Sequence, residues 1–170
     1  MPDPDPPGRP GPSSELAARV VEALAARGLT LATAEASVGG LIGHLVTDVP
    51  GASRVFVGGI APYAREPKVD LLGVDGEMLL AEGSVSEPAV LALARGVREA
   101  MRSDLAIAET GVASDVGNPL RPAGMYFVAL AAEGYERALR HQFTGTRQEN
   151  KRQAADAALQ FVLDYVDSLP

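Results

Sequence analysis

From Ser13 onward, apolar positions recur with a period near 3.6 or a period near 2, and the switches between the two mark out the elements. Leu16, Val20 and Leu24 fall at helical spacing behind Ser13 or Ser14, either of which can cap a helix that Gly28 ends. Leu29 to Ala34 is an unbroken run of apolar and small residues and predicts a short buried strand. Leu41, Ile42, Leu45, Val46 and Val49 give the next helix a broad apolar face, closed by Pro50-Gly51. Arg54 to Ala61 has the content of a strand, and Gly58-Gly59 marks a bulge or a close backbone contact within it. Pro62 to Lys68 then connects to a short helix through Leu71 and Leu72, stopped by Gly73. Ser86-Glu87-Pro88 starts a helix carrying Val90, Leu93, Val97 and Met101. Leu105 to Ala108 predicts a strand ending at Glu109-Thr110-Gly111, followed by an irregular loop from Val112 to Pro122. Gly124 to Ala132 and Tyr135 to Phe143 flank Glu133-Gly134 and predict an antiparallel hairpin. From Arg147 on, Ala154, Ala158, Phe161 and Tyr165 share one helical face.

Helices and strands that alternate first and end in a hairpin predict an α/β fold, a mixed sheet with helices on both faces. At 170 residues and 46% apolar content the chain can bury one core, so residues 13–170 read as a single domain. Residues 1–12 hold six prolines and two glycines, a composition that predicts a disordered tail. The absence of cysteine excludes disulfides and thiol chemistry, and two histidines, His44 and His141, are too few to nominate a metal site. His44, beside Leu45 on the helix face, reads as a surface or half-buried residue. A net charge of −7 with no stripe of Lys or Arg argues against nucleic acid as a partner. No apolar run approaches the ~20 residues needed to span a bilayer, and the start carries no basic-then-apolar signal. A soluble cytoplasmic protein with no membrane partner is the expectation.

Candidate chemistry gathers around Leu31 to Gly40, where an apolar run stops at Glu35 and Ser37 before Gly39-Gly40 open a helix. Such a strand-turn-helix junction leaves amides unpaired at the helix start, and paired glycines let a ligand approach the backbone. It suits an anion or an oxyanion, and it is equally the form of an ordinary turn in an α/β protein. Ligands in open α/β sheets bind beyond the carboxyl ends of strands, which collects Glu35 to Gly40, Pro62 to Lys68 and Thr110 to Gly117. Lysine occurs only at Lys68 and Lys151, against thirteen arginines. Lys68 is either an exposed surface lysine or a desolvated amine able to act as a base, a role arginine cannot fill. Tyr63 could donate a hydrogen bond in the same cleft or serve as a core tyrosine, and Thr110 could hold a substrate or an attacking group.

The segments TAEASVGGLIGHLVTDVPGAS, VFVGGIAPYAREPKVDLLGV, GSVSEP, IAETGVAS and FTGTRQENKRQAADAAL follow one another in an order that resembles the C-terminal domain of competence/damage-inducible protein A. The resemblance covers about residues 14–166 and points to the CinA-type nicotinamide mononucleotide amidases. It implies a three-layer α/β/α sandwich and a homo-oligomer. The implied reaction converts nicotinamide mononucleotide and water to nicotinic acid mononucleotide and ammonia, with neither metal nor cofactor.

Position by position, the first family motif resembles Thr-Ala-Glu-Ser-Cys-Thr-Gly-Gly, with the serine as nucleophile. Aligned on Thr33, Ala34, Glu35, Gly39 and Gly40, that serine falls on Ala36, and Ser37 takes the next place. Tyr63 and Lys68 match the Tyr-Ser-Asn-x-x-Lys segment, which implies Lys68 as the activating base. Thr110-Gly111 matches the family's Thr-Gly, but the glycine-rich stretch that follows becomes Val112 to Gly117 and carries Asp115, which would repel a phosphate. Arg147 and Arg152 keep late basic positions able to contact an anion. The resulting expectation is a member impaired at Ala36, with Ser37, Lys68, Tyr63 and Thr110 as the catalytic candidates. Glu35, Ala36, Gly39, Gly40, Gly111, Arg147 and Arg152 are the substrate-binding candidates. The alternatives are a hydrolase using Ser37 as a displaced nucleophile, or a regulatory binder of some small molecule.

Overall fold

In the computed structural model, which describes residues 12–114 and 116–170, five strands form one sheet. β1 (Leu31–Glu35) lies between β2 (Phe56–Ile60) and β3 (Leu105–Gly111), parallel to both. β4 (Met125–Ala132) pairs antiparallel with β3, and β5 (Tyr135–Gln142) pairs antiparallel with β4, so the order is β2-β1-β3-β4-β5. The last two strands meet at Ala132 and Tyr135 around Glu133-Gly134, the hairpin the sequence predicts, with Gly134 in the left-handed region.

Six helices cover the sheet: α1 (Pro12–Arg27), α2 (Leu41–Thr47), α3 (Arg65–Leu72), α4 (Gly76–Glu82), α5 (Glu87–Met101) and α6 (Arg147–Ser168). α1, α2 and α6 share a core with Leu31, Ile107, Tyr126, Val128 and Leu130 of the sheet. α3, α4 and α5 share another with Ala32, Ala34, Ala106, Ala108 and Ala129. Alternate strand residues therefore feed opposite cores, and the fold is a three-layer α/β/α sandwich with a mixed sheet. β1 is buried along its whole length, as a strand covered on both faces must be.

Local chemistry explains the elements and also moves several predicted boundaries. Ser86 caps α5 with Pro88 in the first turn, and Thr146 with Glu149 forms a reciprocal capping box at the start of α6. α1 begins at Pro12, so Ser13 is a buried first-turn residue rather than a cap; residues 1–11, on which the predicted tail falls, lie outside the described residues. Its inward stripe is Ser13, Ala17, Val20, Val21 and Leu24, with Leu16 only half-buried. α2 stops at Thr47, before Val49, and a single 3-10 turn at Ala52–Arg54 delays β2 to Phe56. α4 is absent from the sequence expectation; Asp75 caps it by accepting from the amides of Glu77 and Met78. At the predicted glycine pair, the register of β1 and β2 shifts once. A Cβ on Gly59 would lie 2.2 Å from Thr33 Oγ1, so this strand pair closes only on glycine.

The pairing of β1 with β3 has one consequence for function: it sets Glu35 directly opposite Glu109 at the carboxyl ends of adjacent strands.

Candidate active site

Two buried carboxylates organise the end of the sheet. Glu35 Oε2 accepts from the amide of Ile42 at 2.8 Å and Oε1 from that of Gly43 at 2.8 Å, so its charge seats the first turn of α2. Thr33 Oγ1 donates a third hydrogen bond at 2.9 Å. Glu109 Oε1 accepts from the amides of Ser37 at 2.7 Å and Val38 at 2.8 Å, and its Oε2 accepts from the Ser37 hydroxyl. The junction that the sequence offers to an external anion thus holds two carboxyl groups of its own. Four of its amides are already spent on them.

Beyond these carboxylates opens a cleft of about 270 Å³, bounded by the β1–α2 junction, the start of α3, the end of β3 and the start of α6. Ala36, Ser37, Tyr63, Lys68, Thr110 and Gly111 line it, as the strand-end rule expects, and Arg147, named by the family resemblance, joins them. Tyr63 is exposed at 70% on the rim, which overturns the core reading for that ring. Thr110 is buried, and its hydroxyl donates to the Ser84 carbonyl at 2.8 Å, tying the loop before α5 to the cleft wall. A Cβ on Gly111 would enter the Tyr126 ring, so the glycine lets that ring pack behind the cleft.

Lys68 is the desolvated amine of its two sequence readings, with its donors already committed. It is buried, 2% exposed, and not a surface lysine. Its Nζ donates to the carbonyls of Pro62 at 2.5 Å, Tyr63 at 2.9 Å and Ala64 at 3.0 Å. Burial pushes the amine below its ordinary value, while Glu109 and Glu66 push it back. The donor count decides between the forms: an ammonium has a proton for each of these carbonyls, whereas a neutral amine would turn its lone pair on one of them. Lys68 is therefore a held cation that fixes the Pro62–Ala64 turn, not a free base.

Four other predicted contacts fail to converge. Glu35 is 2% exposed and committed to α2, so it anchors the helix instead of touching a ligand. Gly39 and Gly40 are both left-handed and exposed, and they shape the turn outside the cleft lining. Arg152 points to the α1 side, where its guanidinium donates to Ser13 Oγ at 3.3 Å. It lies five residues past Arg147, about 140° around the helix, which separates the two guanidinium groups. Asp115 lies outside the described residues.

Sequence reasoning passed over four contributors. Glu109 reads locally as the last residue of a strand, although an acid closing the run Leu105 to Ala108 is itself a signal for a site at a parallel strand end. Burial lifts its carboxyl to about 7 against the opposing hydrogen bonds from Ser37 and Val38, with Glu35 adding to the rise. Tyr126 is fully buried beside Ser37, and burial raises its hydroxyl to about 12. That hydroxyl has no hydrogen-bond partner among the described residues. Ser84 and Val85 complete the wall opposite Ser37. A larger groove of about 720 Å³ runs over α4 and α5, but none of the predicted site residues lines it.

Among the described residues no group of His, Cys, Asp and Glu is arranged to hold a metal ion, and no helix is long and apolar enough to cross a membrane. The profile of the CinA C-terminal domain matches residues 13–166. The chain belongs to the CinA family. This CinA-family chain is 44% identical over 146 residues to a CinA-like protein of Gemmatimonas aurantiaca, covering 85% of the chain and 34% of that relative. It is 43% identical over 137 residues to a putative competence-damage inducible protein of Moorella thermoacetica, covering 80% of the chain and 33% of that relative. The chain thus spans about one third of the length of these curated relatives. Among solved structures, a CinA superfamily protein of Klebsiella pneumoniae superposes with a TM-score of 0.90 at 29% identity, over 94% of this chain and 100% of that one. A competence/damage inducible protein of Agrobacterium tumefaciens gives 0.86 at 32% identity, over 94% and 98%.

Proposed function

We propose that this CinA-family chain keeps a ligand cleft suited to a pyridine mononucleotide while hydrolysing the carboxamide of nicotinamide mononucleotide far more slowly than an ordinary amidase. The observation that carries the reading is Ala36. It lines the cleft at the position the family resemblance gives to the nucleophilic serine, and it offers a methyl group where the reaction needs a hydroxyl. Lys68 supports the same reading, because the residue placed as activating base has its protons committed to the carbonyls of Pro62, Tyr63 and Ala64. So do the amides of Ser37 and Val38, which Glu109 occupies where an oxyanion would need them. The binding half rests on Tyr63 and Arg147. An exposed ring on the rim can stack on a pyridine, and a guanidinium at the start of α6 can meet a phosphate. Assembly as a homo-oligomer belongs to the same proposal.

Two measurements on the wild-type chain test the two halves. Nicotinamide mononucleotide at a hundred times its Kd is expected to add about 2.7 kcal/mol of stability in a thermal-shift titration. Ammonia release is expected below about 0.01 per second, against the ~1 per second or more of an ordinary enzyme. A rate in that ordinary range would refute the impairment, and no thermal shift at any soluble concentration would refute the ligand.

A further inference from the structure

We infer that Ser37 and Glu109 form a nucleophile–base pair, displaced by one residue from Ala36, that hydrolyses short-chain acyl esters and amides entering the same cleft. The inference rests on the cleft being the functional site, and is independent of whether a nucleotide is its ligand.

The two oxygens of Glu109 do different work. Oε1 is held by the amides of Ser37 and Val38, while Oε2 has one partner, the Ser37 hydroxyl. The backbone thus orients the carboxylate so that its second oxygen faces the hydroxyl, which is the arrangement of a nucleophile, its base and the group that positions the base. Glu109 is 0% exposed and Ser37 is half-buried in the cleft wall, so the base is sheltered from water while the hydroxyl is open to a substrate. Burial lifts the Glu109 carboxyl to about 7, close to the working range of a general base at neutral pH. Behind them, the Tyr126 hydroxyl is fully buried near the Ser37 side chain and has no hydrogen-bond partner of good geometry among the described residues. An unpaired buried donor is costly, and an oxyanion forming on a carbon bound to Ser37 Oγ would supply the acceptor it lacks. The cleft, at about 270 Å³, has room for a short acyl group beside Ser37.

The chemistry balances with water alone. Ser37 Oγ attacks the acyl carbon as its proton passes to Glu109 Oε2, and a C–O bond forms while the carbonyl electrons move to oxygen. Collapse of that intermediate breaks the bond to the alcohol or amine, which leaves with the proton from Glu109. Water then attacks the Ser37 ester, gives its proton to Glu109, and the carboxylic acid departs as the proton returns to Ser37 Oγ.

The test uses the full chain, p-nitrophenyl acetate as substrate and a fluorophosphonate as covalent probe, with Ser37→Ala and Glu109→Gln beside the wild type. Glu109→Gln can keep both amide bonds through its remaining carbonyl oxygen while removing the base, so its thermal midpoint is expected within a few degrees of wild type. Expected are p-nitrophenol release that rises through about pH 7, a loss of at least a hundredfold in Ser37→Ala, and a loss of at least tenfold in Glu109→Gln. The fluorophosphonate adduct should map to Ser37 by mass spectrometry. An adduct on another residue, or an ester rate unchanged in folded Ser37→Ala, overturns the pair. Ammonia release from nicotinamide mononucleotide is read in parallel, so the two proposals fail separately. Silence in both assays sinks the pair and leaves the impairment standing. Turnover of the nucleotide that is lost in Ser37→Ala sinks the impairment and keeps the pair.

Discussion

Glu35 and Glu109 stand opposite each other on neighbouring parallel strands, both buried. Each accepts two amides from the segment after β1 and a hydroxyl from β1 or that same segment. By these measures they are the same device. They differ in where the hydroxyl sits. Thr33, the partner of Glu35, is 1% exposed and locked between strands, whereas Ser37, the partner of Glu109, opens onto the cleft. The same carboxylate arrangement is therefore an anchor on one strand and the proposed nucleophile–base pair on the next. What separates structure from chemistry here is access to the cleft, not the strength of the hydrogen bonds.

The comparison breaks first at Glu35. Glu35→Ala leaves the amides of Ile42 and Gly43 without acceptors at the start of α2, and at ~1–3 kcal/mol for each buried orphan the loss should be about 4 kcal/mol. Urea unfolding measures it, and a loss below about 1 kcal/mol would remove the anchor reading. The next largest effect separates the two acids by pH. Glu109 binds its proton more tightly in the folded chain, at about 7 against 4.5, so its contribution to stability is complete below pH 4.5 and is lost as the pH rises through 7. The shift corresponds to about 3 kcal/mol at ~1.4 kcal/mol per unit. Urea midpoints across that window should slope downward in the wild type and be flatter in Glu109→Gln.

Lys68 sharpens the contrast from the far wall. Lys68→Met keeps the stem and removes every donor to Pro62, Tyr63 and Ala64, for an expected loss of about 2 kcal/mol read from the thermal midpoint. An unchanged midpoint would return Lys68 to the role of a catalytic base without structural work. The smallest effect belongs to Ser37. Ser37→Ala should cost about 1 kcal/mol, because it leaves one oxygen of Glu109 without its partner while the two backbone amides stay in place.

Much of this was legible in the sequence where the signal was local. The cap at Ser86, the hairpin at Glu133-Gly134 and the convergence of Ser37, Tyr63, Lys68 and Thr110 follow from spacing and from the rule that strand ends build sites. Glu109 was not legible as a partner of Ser37, because the two meet only through the register of β1 with β3, across 72 residues of chain. For the same reason Glu35 looked like a ligand contact: sequence shows a carboxylate beside a helix start but not that the helix has already taken it. Lys68 was ambiguous until its burial and its carbonyl partners were known, and α4 is too short, at Gly76–Glu82 between two glycine stops, to stand out by period.

Ala36 is the position on which the functional reading turns, and one paired measurement addresses it most directly: ammonia release from nicotinamide mononucleotide by wild type and Ala36→Ser, purified and assayed together. Restoring the hydroxyl at that position is expected to raise the rate at least tenfold over a nearly silent wild type. Equal rates in the two proteins, with the wild type turning over at about 1 per second or faster, would contradict it.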